Sequence, residues 1–288
     1  MKIFLFIITF LLSTLVTAQN KEAYKIYNSK GKKSSFKKMA KASNDAEFVF
    51  FGEFHDNPIS HWLQLELMQS MYAHFGNRLI LGFEMFEQDQ QLLLDSLIQK
   101  QISAKDFEER ARLWPNYTTD YKPLIDFAIE YSLKCVADNI PRRYASLMFK
   151  EGRNRLAGLS DEEKSWICPL DFEIDTTLSQ YQEVAKMAVH IEGLDGYDLM
   201  QAQAIKDATM AYFILKNMNE DNVVLHFNGA FHSDFSQGIM WYVLQEKPEA
   251  KIMTISTVSQ VNLSKLEEEN NGRADFIIVV PENMTNTH

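Results

Sequence analysis

The 288-residue sequence contains only two cysteines, Cys135 and Cys168. Two cysteines cannot form the disulfide framework with which small secreted domains compensate for a small hydrophobic core. The chain must therefore rely on its core, which a sequence of this length can build within one compact domain. Cys135 lies in the apolar segment LKCVAD, a setting typical of a buried free thiol.

Sequence motifs of several common enzyme classes are missing. Neither GxGxxG nor GxxxxGK[ST] occurs, which argues against dinucleotide-binding oxidoreductases and P-loop nucleotide hydrolases. No GxSxG sequence occurs, which argues against serine hydrolases with a nucleophile elbow. The HExxH signature of zinc proteases is absent as well. Any catalytic chemistry must therefore come from a less regular arrangement of side chains.

Positive charge is scarce in this sequence. It has 29 lysines and arginines against 39 aspartates and glutamates, a formal net charge of −10 at pH 7. The one basic cluster, KGKKSSFKK at residues 30–38, lies near the start of the chain. Nucleic-acid-binding proteins present a basic surface, so this balance argues against a nucleic acid as a partner.

One long apolar run opens the sequence, within MKIFLFIITFLLSTLVTAQN. Lys2 gives a positive start, residues 3–15 carry no charge, and residues 16–18 supply the small side chains of a cleavage site. The run is shorter than the about 20 residues of a membrane-spanning helix. We therefore expect residues 1–18 to be a signal peptide and the protein to be exported. No cysteine follows the small residues, so a lipid anchor is not expected.

Six short segments rich in apolar, β-branched or aromatic residues predict β-strands. They are residues 47–52, 78–84, 133–137, 222–227, 251–256 and 275–280. Segments with helical spacing separate them, and this alternation predicts an α/β fold with a central, mostly parallel sheet and flanking helices. We expect a lead-in at 19–46 and a single domain at 47–288, with helical cap insertions at about 86–120 and 152–196.

Two of the predicted strands end in nearly the same sequence, GEFH at residues 52–55 and GAFH at residues 229–232. Glycine allows the chain to turn sharply off a strand end. Each histidine then follows the carboxyl end of a strand, the edge at which open α/β sheets bind ligands. We therefore expect His55 and His232 to contribute to one site.

Other strand ends add polar side chains at the same edge. Glu84 ends the second predicted strand, and Asn139 and Arg142 follow the third. Because the carboxyl ends of parallel strands meet at one edge, we expect these residues to share a pocket with Glu53, His55 and His232. His61, in the first turn of the next helix, is a further candidate that could point back to the pocket. Asp56 or Asn57 could cap that helix.

Such a cluster allows more than one chemistry. Carboxylates beside imidazoles raise the pKa of histidine and orient the ring for general-base catalysis; the catalytic candidates are Glu53, His55, Glu84 and His232. The same four side chains could instead hold a divalent metal. Aromatic residues in the first predicted cap suit a haem site, for which the cofactor-binding candidates are His61, Asn139, Arg142 and Tyr144.

Five ordered blocks of sequence resemble the ChaN-like haem-binding uptake family. The blocks are FFGEFHDNPISHWLQLELM, LGFEMFEQDQQ, VADNIPRRYA, QAQAIKDATMA and FNGAFHSDF, which together extend from about residue 47 to residue 235. The family belongs to a superfamily with the Tiki proteases, TraB-type proteins and erythromycin esterases. The resemblance implies an α/β fold with helical caps, haem binding and a role in iron acquisition.

The resemblance also implies a location in the periplasm or at the outer membrane, a haem-linked homodimer and an outer-membrane uptake partner. Glu53, His55, Glu84 and His232 match motif positions of the superfamily, and His61 matches a second family histidine. Related enzymes use the corresponding cluster to bind a metal or activate water, so an esterase or peptidase is the alternative function. A scaffold that binds a partner through its caps is a third. Many relatives are lipoproteins, whereas this chain lacks the lipobox cysteine.

Overall fold

The computed structural model of the protein describes residues 22–188 and 195–288. The predicted signal peptide and residues 189–194 of the second predicted cap lie outside these ranges. No helix within them is both long and apolar enough to cross a membrane.

The strands form one sheet at the centre of the molecule. They are β1 Lys25–Asn28, β2 Phe48–Glu53, β3 Leu79–Glu87, β4 Lys134–Asn139, β5 Val223–Gly229, β6 Ile252–Gln260 and β7 Phe276–Pro281. Their order across the sheet is β1-β7-β6-β2-β5-β3-β4. β1 pairs with β7 in antiparallel fashion, and the other neighbours are parallel. The predicted α/β fold with a mostly parallel sheet is confirmed.

All six predicted strands are present, with small shifts at their ends, and β1 is an additional strand within the predicted lead-in. β1 has only four residues, KIYN, too few to show a clear alternation of apolar and polar side chains. Its partner β7 lies at the other end of the sequence. Pairing with an existing sheet edge, and not local preference, therefore determines this strand.

Helices connect the strands and cover both faces of the sheet. Those in the described ranges are α1 Phe36–Ser43, α2 Pro58–Phe75, α3 Gln91–Ile98, α4 Ala104–Arg110, α5 Lys122–Tyr131, α6 Arg142–Glu151, α7 Arg153–Ala157, α8 Asp161–Lys164, α9 Ser179–Ala188, α10 Gly196–Asn217 and α11 Ile239–Glu246. A π-helical turn, Tyr117–Tyr121, precedes α5.

Each face of the sheet has its own hydrophobic core. Val49 and Phe51 of β2 belong to the core beneath α2 and α5, whereas Phe48 and Phe50 belong to the core beneath α6, α10 and α11. Successive side chains of a strand point to opposite faces, so a strand buried on both faces must be apolar at every position. This double burial explains the continuous apolar run before Gly52.

The two segments predicted as caps contain helices. Residues 86–120 include α3 and α4, and Trp114 and Asn116 of this segment contact His55. Residues 152–188 include α7, α8 and α9, and Tyr181 of α9 contacts Asp207 of α10. Both segments therefore send side chains towards the carboxyl edge of the sheet.

Candidate functional site

The structure brings Glu53, His55, Glu84 and His232 together at the carboxyl edge of the sheet. Glu53 is the last residue of β2, Glu84 lies in β3, and His232 lies in the short turn after β5. His232 Nε2 is 3.2 Å from Glu84 Oε1. A side chain added at Gly229 would meet both the ring of His55, at 2.7 Å, and Glu84 Oε2, at 3.6 Å.

The glycines of the two repeated sequences allow neighbouring segments of the chain to pack closely against the strand ends. Neither Gly52 nor Gly229 has a positive φ angle, so the sharp turn expected from the sequence is not the reason for these residues. A Cβ on Gly52 would lie 2.8 Å from Ala230 Cα and 2.9 Å from the carbonyl oxygen of Ile255. The absence of side chains lets the ends of β2, β5 and β6 come together beneath His55.

His55 and Glu53 form a hydrogen-bonded pair at the solvent-facing part of the carboxyl edge of the sheet, which we call the rim. His55 Nδ1 donates to Glu53 Oε1 at 2.9 Å, and Tyr121 donates its hydroxyl proton to the same oxygen at 2.6 Å. Gln64 donates to the other oxygen of Glu53. The Glu53 side chain is fully buried, whereas that of His55 is 43% exposed. The buried carboxylate thus holds one ring nitrogen and leaves the imidazole accessible to solvent.

The surroundings of His55 favour its protonated form. Burial lowers the pKa of His55, but the hydrogen bond to Glu53 and the negative charges of Glu84 and Glu53 outweigh it. The pKa of His55 is therefore raised above its ordinary value of 6.5. The ring of Trp114 lies edge-on to the imidazole, with 4.8 Å between the ring centres.

His232 lies buried between two carboxylates. Its Nδ1 donates to Asp207, and its Nε2 faces Glu84. Burial lowers the pKa of His232, but the charges of Glu84 and Asp207 raise it to about 10. The ring is therefore a buried cation at neutral pH.

Glu84 is the anionic partner of this cation. Burial raises the pKa of Glu84, yet the charges of His232 and His55 and the backbone N–H of Gly229 hold it well below its ordinary value. Gly229 N donates to Glu84 Oε2 at 2.6 Å. The site therefore combines a fixed buried ion pair with one exposed imidazole.

Asp207 belongs to the site, although it was not among the site residues predicted from the sequence. It lies on the buried face of α10, and Tyr181 donates its hydroxyl proton to Asp207 Oδ2 at 2.9 Å. The available signal was its position: Asp207 shares a helical stripe with the apolar residues Met210, Ala211 and Ile214. A buried aspartate on such a stripe requires a partner.

His61 supports the His55 loop from below. It is buried, with Nδ1 2.9 Å from Gln64 Oε1 and Nε2 3.1 Å from the carbonyl oxygen of His55. Both ring nitrogens are thus engaged within the protein, and the ring does not face the rim. Asn57 caps α2, because its Oδ1 accepts from the N–H groups of Ile59 and Ser60.

The remaining cofactor-binding candidates have different environments. Asn139 donates from Nδ2 to the carbonyl oxygen of Glu84 at 2.9 Å, which places it beside the cluster. Arg142 is exposed in the first turn of α6. Tyr144 is buried, its hydroxyl donates to Glu163 at 3.1 Å, and its ring stacks on Trp166. The structure therefore does not bring Tyr144 into the cluster.

The four predicted metal ligands are not arranged around a common point. Within the described ranges, no group of three or more His, Cys, Asp or Glu side chains has the geometry to hold a metal ion. The reason lies in their partners: both nitrogens of His232 face carboxylates, and Glu84 accepts from Gly229.

A third buried histidine lies inside the sheet. His226 of β5 is fully buried, as expected for a core residue, but its hydrogen bonds are not all satisfied, because Nε2 lies beside Asp138 without a hydrogen bond to it. Its Nδ1 is 3.0 Å from Asn228 Oδ1, and its Nε2 is 3.1 Å from Asp138 Oδ2. This pair lies within the strands, away from solvent, and adds no accessible group to the rim.

A family model described as haem-binding uptake, Tiki superfamily, ChaN matches residues 39–243. The solved structure of ChaN from Campylobacter jejuni, described as showing cofacial haem binding, has a TM-score of 0.66 and 18% identity, covering 89% of this chain and 96% of that one. A Bacillus cereus protein has a TM-score of 0.53 and 10% identity, with coverage of 90% and 95%. No curated protein matches the sequence. At these identities the structural similarity shows the fold alone.

Proposed function

This chain belongs to the ChaN family of haem-binding uptake proteins in the Tiki superfamily, and we propose that it binds haem at the carboxyl edge of its sheet for iron acquisition. The observation that carries the proposal is the state of His55. Glu53 holds Nδ1, while Nε2 has no hydrogen-bond partner among residues 22–188 and 195–288. A histidine anchored through Nδ1 and without a partner at Nε2 would suit haem iron once Nε2 has lost its proton, a loss that the raised pKa of His55 moves to higher pH.

The residues around His55 fit a haem. Trp114 offers an aromatic surface beside the imidazole. Arg142 is exposed and suits a propionate carboxylate. Bound haem would supply an iron centre, which His55 would hold while Glu53 fixes the orientation of the ring.

A second copy of the chain would cover the ligand. The proposed binding face is the rim around His55 and not a deep pocket. A groove of about 770 Å³ lies between α10, α11 and residues 168–173, and it includes none of the predicted site residues. A flat ligand on an open face leaves its other side exposed, which favours a haem-linked homodimer. Cofacial haem binding is described for the Campylobacter jejuni protein.

Export completes the proposal. Residues 1–18 have the pattern of a signal peptide. We place the protein in the periplasm or at the outer membrane, where it would receive haem from an uptake partner. Cell fractionation combined with N-terminal sequencing tests this location, since cleavage after Ala18 leaves Gln19 as the first residue. An uncleaved protein in the cytoplasm would contradict it.

Titration of the purified protein with haemin tests the binding site. We expect a saturable Soret band for the wild type and at least roughly tenfold weaker binding for His55→Ala, because the side chain that would hold the iron is lost. His74→Ala is the matched control, since His74 is an exposed histidine in the last turn of α2. Analytical ultracentrifugation should show dimers only with haemin. Absence of saturable binding, or equal affinity of the two variants, would overturn the proposal.

Hydrolysis is a second candidate function, favoured by the same pair of side chains. In its neutral form, which the raised pKa moves to higher pH, His55 is an accessible imidazole oriented by Glu53, and this is the arrangement of a general base that activates water. Ester and peptide substrates, tested with and without Mn²⁺, Co²⁺ and Zn²⁺, should then show turnover that His55→Ala and Glu84→Gln abolish. No turnover across this panel would eliminate the hydrolase.

A further inference from the structure

The last residues of the chain cross the carboxyl edge of the sheet. β7 ends at Pro281, and the N–H of Glu282 donates to the carbonyl oxygen of Gln260 at the end of β6 at 3.2 Å. Five residues later, the N–H of Thr287 donates to the carbonyl oxygen of Asp56 at 2.9 Å. β6 lies between β7 and β2, a separation of about 10 Å for two strand spacings. Residues 282–287 therefore span the end of β6 and reach the loop that carries His55.

Two side chains of this segment bind the site. Asn286 donates from Nδ2 to Asp56 Oδ2 at 2.6 Å, and Thr287 donates from Oγ1 to Asp120 Oδ2 at 2.6 Å. Asp120 Oδ2 also accepts from Asn116 Nδ2 at 2.6 Å. The amide of Asn116 in turn donates to the carbonyl oxygen of His55. The segment thus binds Asp56, the residue that follows His55. Through Asp120 and Asn116 it also connects to the carbonyl oxygen of His55.

Few hydrogen bonds hold the loop at residues 54–57, so the contacts of Asn286 and Thr287 account for much of its fixation. The carbonyl oxygen of Phe54 accepts from Asn57 N, and that of His55 faces His61 and Asn116. Within the described part of the chain, every hydrogen bond to Asp56 comes from Asn286 or Thr287. Asp56 directly follows His55, so the freedom of its peptide group determines the freedom of the histidine.

We propose that Asn286 and Thr287 are positioning residues, which fix Asp56 through its side chain and its carbonyl oxygen and thereby hold the His55 ring between Glu53 and Gly229. The role rests on the proposed function only in that haem is the ligand expected at His55. The positioning itself is a property of the free protein and can be measured without haem.

The test compares variants of the full chain. The double variant Asn286→Ala/Thr287→Ala removes three side-chain hydrogen bonds, two to Asp56 and one to Asp120, and keeps the bond from the backbone N–H of Thr287 to the Asp56 carbonyl. Thr287→Ser retains the hydroxyl, and Thr285→Ala is a control at an exposed neighbour. We expect hydrogen exchange of the Asn57 amide to become roughly tenfold faster in the double variant, because that variant loses hydrogen bonds to the Asp56 and Asp120 carboxylates. The His55 ring, followed by NMR titration, should shift its pKa towards 6.5. Haemin affinity should fall several-fold. Thr287→Ser and Thr285→Ala should behave as the wild type.

The outcomes separate this proposal from the haem function. Unchanged exchange at residues 54–57 together with an unchanged His55 titration in the folded double variant overturns the positioning role, whatever the haem affinity. Faster exchange and a shifted titration in a protein that never binds haemin support the positioning role and reject the haem function. If the double variant does not fold, the single variant Thr287→Ala, compared with Thr287→Ser, provides the same measurements.

Discussion

Replacing Asp207 with asparagine tests the buried charge cluster. His232 lies between Asp207 and Glu84, which raise its pKa from 6.5 to about 10. A rise of this size corresponds to about 5 kcal/mol of stabilisation. Two carboxylates share that effect, and asparagine keeps the shape and a hydrogen-bond acceptor. We therefore expect Asp207→Asn to lower the free energy of unfolding by about 2–3 kcal/mol near pH 6.5.

The pH dependence follows from the direction of the shift. The folded-state pKa of His232 exceeds that of the unfolded chain, so its stabilisation is complete below pH 6.5 and is lost as the pH rises through about 10. This histidine alone should lower the wild-type free energy of unfolding by about 1.4 kcal/mol per pH unit in that window. In Asp207→Asn the decline should be smaller and should end at a lower pH.

Urea unfolding at pH 6.5, 8 and 9.5, together with NMR titration of the histidine rings, measures both effects. Asp126→Asn is the matched control, because Asp126 is exposed and pairs with Lys122 at the surface. Surface pairs contribute about 0–1 kcal/mol, so the control should resemble the wild type. A wild-type His232 that titrates near pH 6.5, or an Asp207→Asn variant with unchanged pH dependence, would refute the reasoning, because desolvation would then outweigh the carboxylates.

Two further substitutions test the rim and the sheet edge. Gly229→Ala places a Cβ 2.7 Å from the His55 ring, so haemin affinity should fall about tenfold. Gly158→Ala is the control, because its added Cβ would lie 3.5 Å from the nearest neighbouring atom. Equal haemin affinities of the two variants would contradict the expectation. Gln91 hydrogen-bonds the Cys135 carbonyl and the Ala137 N–H on the open edge of β4. Gln91→Ala should lower the free energy of unfolding by about 1–2 kcal/mol and increase self-association, measured by urea unfolding and ultracentrifugation; unchanged values would contradict it.

Much of the architecture could be predicted from local sequence. Strands buried on both faces are continuously apolar, so β2, β3 and β5 stand out between helical segments, and their alternation requires parallel pairing. Parallel pairing in turn places all strand ends at one edge, which is why Glu84 could be grouped with two distant histidines. The resemblance to the ChaN family, stated from five short blocks, is confirmed by the family model.

Other features depended on contacts between distant residues. The sequence treats His55 and His232 alike, because each follows the same short motif, yet one is 43% exposed and the other is buried between carboxylates. Asp207 lies in QAQAIKDATMA, one of the blocks that resemble the ChaN-like family, but nothing in the sequence connected this helix position to the strand ends. Tyr144, grouped with the site from its place after Arg142, packs against Trp166 instead.

The sequence by itself determined the order of strands and helices, the parallel sheet and the set of acids and imidazoles at its edge, because each of these follows from local patterns of burial and turning. Only the tertiary structure decided which imidazole is open, which is a buried cation, and how β1 and residues 286–287 join the sheet and the site. Those properties depend on desolvation and on hydrogen bonds between segments far apart in the chain, and such contacts leave no periodic signal in the sequence.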